Sequence, residues 1–190
     1  MSRFPIHTVD TAPSDSRAAL EALQQDVGFL PNLAATMAES PTLIESFTTL
    51  RKILGHSSFT PVERETIALS VSFENDCTYS MAAHSTFARM SGISDPALEA
   101  LRAGGDPPDE RLSALATYTR HVIARRGYAA GEATQGFLDA GFTKAQALGV
   151  IVAIACTTIV NYAHNLTGCA LDPPFEPQVW TLPASSRRSA

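Results

Sequence analysis

Apolar residues recur at helical spacing along most of the chain. Between Ser14 and Val27 they fall at Ala19, Leu20, Leu23 and Val27, and Gly28 follows. That predicts an amphipathic helix closed by a glycine. Ser40-Pro41 opens a second helix, with proline at the first helical position, carrying Leu43, Ile44, Phe47, Leu50 and Leu54. Asp95-Pro96 starts a short helix that ends near Gly104-Gly105. Pro107-Pro108-Asp109 starts another, with Leu112, Leu115, Ala116, Thr119 and Val122 on one face before Gly127. A further helix spans 130–140 and stops at Gly141. No run alternates with period two between turn signals, so the predicted class is all-α, a single domain over 1–190.

A repeat sits inside this pattern. Phe59-Thr60-Pro61-Val62-Glu63 recurs as Phe142-Thr143-Lys144-Ala145-Gln146. Each carries a threonine cap with Glu or Gln three residues on, the capping-box arrangement. At the same offset Leu69 matches Val152, Val71 matches Ile154 and Tyr79 matches Tyr162. This predicts one helical hairpin used twice, near 59–92 and 142–170. The arm 172–190 is proline-rich; Pro173, Pro174, Pro177 and Pro183 argue against a helix there. Phe175 and Trp180 predict that the arm packs on its own domain or on a neighbouring subunit.

Composition narrows the function. Charged residues make up 17% of the chain, below the roughly 25% of an average soluble domain. The net charge is −5, without the basic footprint of a nucleic-acid binder; only Arg187-Arg188 is locally basic. Three cysteines, Cys77, Cys156 and Cys169, do not make a disulfide framework and fit a reducing compartment. Met1–Asp10 shows no secretory pattern, so a cytoplasmic location is expected. The segment Ala145–Leu171 has no charged residue. Its strongly apolar part, Ala147–Cys156, is shorter than the roughly 20 residues a bilayer requires. It predicts a buried helix, at a subunit interface of a homo-oligomer, and no membrane partner.

One helix carries candidate chemistry. Cys77, Ser80 and His84 stand at i, i+3 and i+7, on one helix face. Asn75-Asp76 is placed to cap that helix, which puts Cys77 in its first turn. Backbone N–H groups and an imidazole there favour a thiolate, so Cys77 is a candidate nucleophile and His84 its base or proton relay. Asp76 opposes that effect. The plain alternative is that Cys77 is a small core hydrophobe. Glu65, if it points inward, needs a partner, and His84 is the nearest candidate. Tyr79, Asn161 and His164 are candidate pocket residues. Cys156 and Cys169 read as core or interface residues. No Cys/His spacing fits structural zinc, and there is no dinucleotide fingerprint or phosphate loop, so no metal and no cofactor are expected.

Glu65, Cys77, Ser80 and His84 fall on the pattern Glu-x11-Cys-x2-Cys-x3-His, which resembles the alkylhydroperoxidase AhpD and carboxymuconolactone decarboxylase superfamily. Glu63–Ser72, Asn75-x-Cys77-x-Tyr79 and Gly28-Phe29-Leu30-Pro31-Asn32 resemble the same family. Asn161-Tyr162-Ala163-His164-Asn165 resembles a polar motif of its longer, peroxidase-related members. The resemblance covers roughly residues 3–175. It implies an AhpD-like helical fold assembled as a homo-oligomer. In redox members it implies that the second cysteine attacks a peroxide, while the first cysteine, the histidine and the glutamate relay protons.

The second cysteine position here is Ser80, whose hydroxyl forms neither a sulfenic acid nor a disulfide. Three accounts stay open. Cys77 acts alone, its sulfenic acid resolved by an external thiol reductant; or the serine was introduced to inactivate the protein; or the site uses Glu65 and His84 as an acid–base pair. The resemblance supports the last through its decarboxylase branch, which it implies works by proton transfer without a cysteine pair or a metal. The first expectation is a thiol-dependent peroxidase-related protein acting on a peroxide through Cys77, Glu65 and His84. The alternatives are a lyase or isomerase acting on a lactone or keto acid, and a non-catalytic oligomeric binding protein.

Overall fold

The computed structural model describes residues 4–183; the tail at 185–190 with Arg187-Arg188 lies outside them. Nine α-helices and one 3-10 helix follow in order, with no strand among the described residues. They are α1 (Ser14–Val27), α2 (Asn32–Met37), α3 (Pro41–Gly55), α4 (Pro61–Glu74) and α5 (Thr78–Met90). Then come α6 (Asp95–Arg102), α7 (Glu110–Ala124), α8 (Glu132–Asp139) and α9 (Lys144–Thr167). Five of them, α1, α3, α6, α7 and α8, lie where the apolar spacing places them. The short α2 is not visible in that spacing, because its residues Leu33, Ala34, Ala35 and Met37 are buried all round and show no polar face.

Helix α4 is the hub. It packs on α5, α6, α7 and α9, sending Ile67 and Val71 into one apolar cluster and Leu69 into another. Its start is fixed by the Thr60–Glu63 capping box, and the start of α9 by the equivalent box at Thr143–Gln146. The two repeat phenylalanines, Phe59 and Phe142, meet with ring centroids 6.4 Å apart. The repeat ends there. Where α4 breaks at Asn75-Asp76-Cys77 before α5, the equivalent stretch 158–160 continues as helix, so the second hairpin expected over 142–170 is one 24-residue helix. Its Thr158-Ile159-Val160 lacks any residue that favours the left-handed backbone seen at Asp76, φ 53°.

Two further expectations change. Helix α9 is not enclosed: over its most apolar window only 39% of the residues are buried, and by length and composition it could cross a membrane. One face packs on α2, α3 and α4; Leu148, Ile151, Tyr162 and Leu166 are exposed. The proline-rich arm does form a helix, a 3-10 helix over Pro173–Gln178. Prolines at its start lose no hydrogen bond, since the first N–H groups of any helix lack an internal partner. The arm packs on its own domain. Phe175 meets Phe29, Tyr79 and Phe87 edge-on, and the Trp180 indole donates to the Arg102 carbonyl at 2.8 Å.

Gly104 shows how closely this arm is seated. Its φ is +73°, and a Cβ built there would lie 2.2 Å from the Phe73 ring, which itself packs edge-on against Trp180. Gly104→Ala is expected to lower stability by about 1–3 kcal/mol, through backbone strain and displacement of that ring. Urea unfolding followed by circular dichroism checks it; an unchanged midpoint would contradict the close approach.

Candidate active site

The α4–α5 hairpin places the four motif residues. Asn75 ends α4, and Asp76 turns the chain through the left-handed region. Cys77 is then itself the N-cap of α5, so it does not lie in the first turn behind an Asn75-Asp76 cap. The reason is the Cys77 N–H, which donates back to the Ser72 carbonyl at 3.0 Å and holds Cys77 outside the helix. Asparagines of α9 fix this turn. The Asn75 amide donates to Asn161 Oδ1 at 3.0 Å, and the Asn165 amide to the Asn75 carbonyl at 2.8 Å.

The four side chains then separate. His84 Nδ1 lies 2.8 Å from Glu65 Oε2, bridging α5 and α4, with side chains 23% and 18% exposed. Their contact is thus shielded but open on one side. No hydrogen bond among the described residues engages His84 Nε2. Glu65, Ser80 and His84 line a cavity of about 1000 Å3 between α3, α4, α5 and α9. Cys77 does not line it and is fully buried. The Ser80 hydroxyl lies beside the Cys77 sulfur but completes no hydrogen bond in the chain.

The thiolate expected at Cys77 is not what its surroundings favour. Burial pushes the thiol up, and the nearby Ser80, Tyr79 and Asn161 groups only partly oppose it. Cys156 does line the cavity; burial pushes its thiol up to about 11, with Arg51 pulling it down. Cys169 is pushed up to about 12, by burial first and then by Asp172. All three cysteines are buried and free. Iodoacetamide at pH 8 is therefore expected to alkylate each at least about 100-fold more slowly in the folded protein than after unfolding. Intact mass spectrometry checks this; one cysteine reacting at the unfolded rate would contradict it.

The other candidates have different places. Tyr79 lines the cavity, but its hydroxyl donates to Asp172, and burial together with that carboxylate holds the phenol proton on. Asn161 and His164 do not line the cavity. Asn161 is buried at the hairpin turn, and His164 Nε2 sits 3.3 Å from the Thr78 hydroxyl, its ring 5.4 Å from that of Tyr79. Burial lowers the His164 pKa. Among the described residues no group of acids, histidines and cysteines could hold a metal.

The sequence pattern missed Asp172 and Arg64. Asp172 is buried and accepts the Asn32 N–H at 3.0 and 3.2 Å as well as the Tyr79 hydroxyl. Its partners lie 140 and 93 residues away, so no local spacing reveals it. Arg64 lines the cavity beside Glu65, where it reads along the chain as one more polar residue of α4.

Residues 41–120 match the Carboxymuconolactone decarboxylase family. Over that segment the chain is similar to the carboxymuconolactone decarboxylase family. The match spans α3 to most of α7 and includes Glu65, Cys77, Ser80 and His84. Among solved structures, the chain is similar to the AhpD core of a peroxidase-related protein from Ralstonia eutropha JMP134, with TM-score 0.76 and 23% identity over 92% of this chain and 94% of that one. A peroxidase-related protein from Silicibacter sp. TM1040 gives TM-score 0.73 and 21% identity over 93% of each chain. A variant of the debrominase Bmp8 in complex with 2,3,4-tribromopyrrole gives TM-score 0.74 and 16% identity over 94% and 97%. At these identities the likenesses establish the AhpD-like fold. No protein of curated function matches the sequence.

Proposed function

We propose that this protein is an acid–base enzyme, a lyase or isomerase of small carbon acids, with His84 as the proton-transfer group. One observation carries the reading. The cavity is lined by Glu65, Ser80 and His84 and not by Cys77. In this reading the Glu65 carboxylate accepts the Nδ1 hydrogen of His84, 2.8 Å away, and Nε2 is the acceptor that serves the cavity His84 lines. A proton α to a carbonyl passes to Nε2 and its electron pair to the carbonyl oxygen. Glu65 stabilises the imidazolium, and the Ser80 hydroxyl is a donor for the enolate. In isomerisation the proton then returns at a different carbon. In decarboxylation no proton is removed first: the C–COO− bond breaks with its electron pair passing to the carbonyl oxygen, carbon dioxide leaves, and the His84 imidazolium protonates the enolate carbon. Exposed Leu148, Ile151, Tyr162 and Leu166 on one side of α9 support association of copies alongside this role.

A panel of lactone acids and β-keto acids in deuterated water tests the reading by proton NMR. Deuterium incorporation or carbon dioxide loss without added thiol is the expected result. No exchange with any of them, together with peroxide consumption driven by a dithiol, would overturn it. A second reading, thiol peroxidase chemistry at Cys77, has its own support in the helix start, where the Ser80 and Tyr79 amides pull the thiol toward ionisation. Ser80→Cys separates the two. Under the acid–base reading the wild type shows no peroxide turnover with a dithiol, and the variant gains it by restoring the second thiol.

A further inference from the structure

The polar groups lining the cavity are unevenly satisfied. Arg51 is paired with Asp26 and Glu65 with His84. Arg64 is half-buried and has no carboxylate partner among the described residues. Its Nη1 donates to the Phe59 carbonyl at 2.7 Å, which fixes the guanidinium and leaves Nε and Nη2 unengaged. Those two N–H groups form the edge that takes a carboxylate through two parallel hydrogen bonds. Lys52 adds positive charge to the same wall, in a chain whose net charge is −5. The Ser80 hydroxyl is wholly buried, with only the Cys77 sulfur beside it, so it has capacity for a further hydrogen bond. Phe47, Phe87 and Phe175 supply an apolar wall between these groups.

We infer that the cavity binds a hydrophobic carboxylic acid, its carboxylate on the free edge of Arg64 and its apolar body along Phe47, Phe87 and Phe175. Ser80 and His84 then meet the middle of the bound molecule and not its charged end. The inference rests on the acid–base reading for the chemistry after binding, and not for binding itself.

Titration with octanoate and with octanamide, of equal length and without charge, tests it by calorimetry. Octanoate is expected to bind the wild type about tenfold more tightly than octanamide. Arg64→Gln, which removes both the charge and the fork, is expected to erase that difference while leaving octanamide binding in place. Arg64→Lys keeps the charge without the fork and is expected to retain part of it, about threefold. Equal binding of the two ligands to the wild type, a preference that survives Arg64→Gln, or binding of neither would overturn the inference. Loss of the preference with carbon-acid exchange intact would sink this inference alone; a preference without exchange would sink the acid–base reading alone.

Discussion

His84→Ala is expected to reduce carbon-acid turnover by about 100- to 10,000-fold, the range a positioned general base contributes. The loss should appear in kcat, because the imidazole acts when the proton moves. Glu65→Gln should cost less. It keeps a hydrogen-bonding partner 2.8 Å from Nδ1 but gives up the negative charge that stabilises the imidazolium, and it frees the ring to adopt the other tautomer. Cys77→Ala should change kcat by less than about threefold, since the sulfur is buried behind the cavity wall. Steady-state rates of the three variants with one active substrate check the set. A Cys77→Ala loss as large as that of His84→Ala would contradict the assignment of roles.

Asp172→Ala is expected to destabilise the fold by about 2–5 kcal/mol, because a buried and a half-buried donor lose their acceptor at once. These are the Tyr79 hydroxyl and the Asn32 N–H at the start of α2. Asp172→Asn retains an acceptor and should cost about 1 kcal/mol. Urea unfolding measures both. The effect should reach the site as well, since Tyr79 lines the cavity and Phe175 of the arm rests on it. Ligand affinity should therefore fall in Asp172→Ala even at urea concentrations where the fold persists. A midpoint unchanged by Asp172→Ala would show that the arm is not latched through this carboxylate.

Helix positions were legible where one apolar face and a breaker coincide. Helix α1 runs from Ser14 to Val27 and stops at Gly28, φ 87°, and α3 starts at Pro41 with Ser40 capping it. Both signals are local, and local signals survive folding. What was not legible depends on distant partners. The repeat predicted a second hairpin because Tyr162 echoes Tyr79, yet the turn in α4–α5 depends on Asp76 and on asparagines that α9 itself supplies. The spacing of Cys77, Ser80 and His84 placed them on one face, but a face has depth. His84 reaches the cavity and Cys77 lies beneath it because the chain enters α5 through a cap at Cys77. Likewise the His164–Asn161 pair reads as a pocket motif along the chain, whereas the fold spends it on the hairpin turn and on Thr78.

The measurement that bears most directly on the central claim is the fate of Cys77 under peroxide. The wild-type protein is treated with hydrogen peroxide and a sulfenic-acid trap, and the three cysteines are located by peptide mass spectrometry. An acid–base site with a buried thiol predicts no selective labelling of Cys77 and full retention of carbon-acid turnover. Stoichiometric labelling of Cys77 ahead of Cys156 and Cys169, with peroxide consumed in the presence of a thiol, would contradict it.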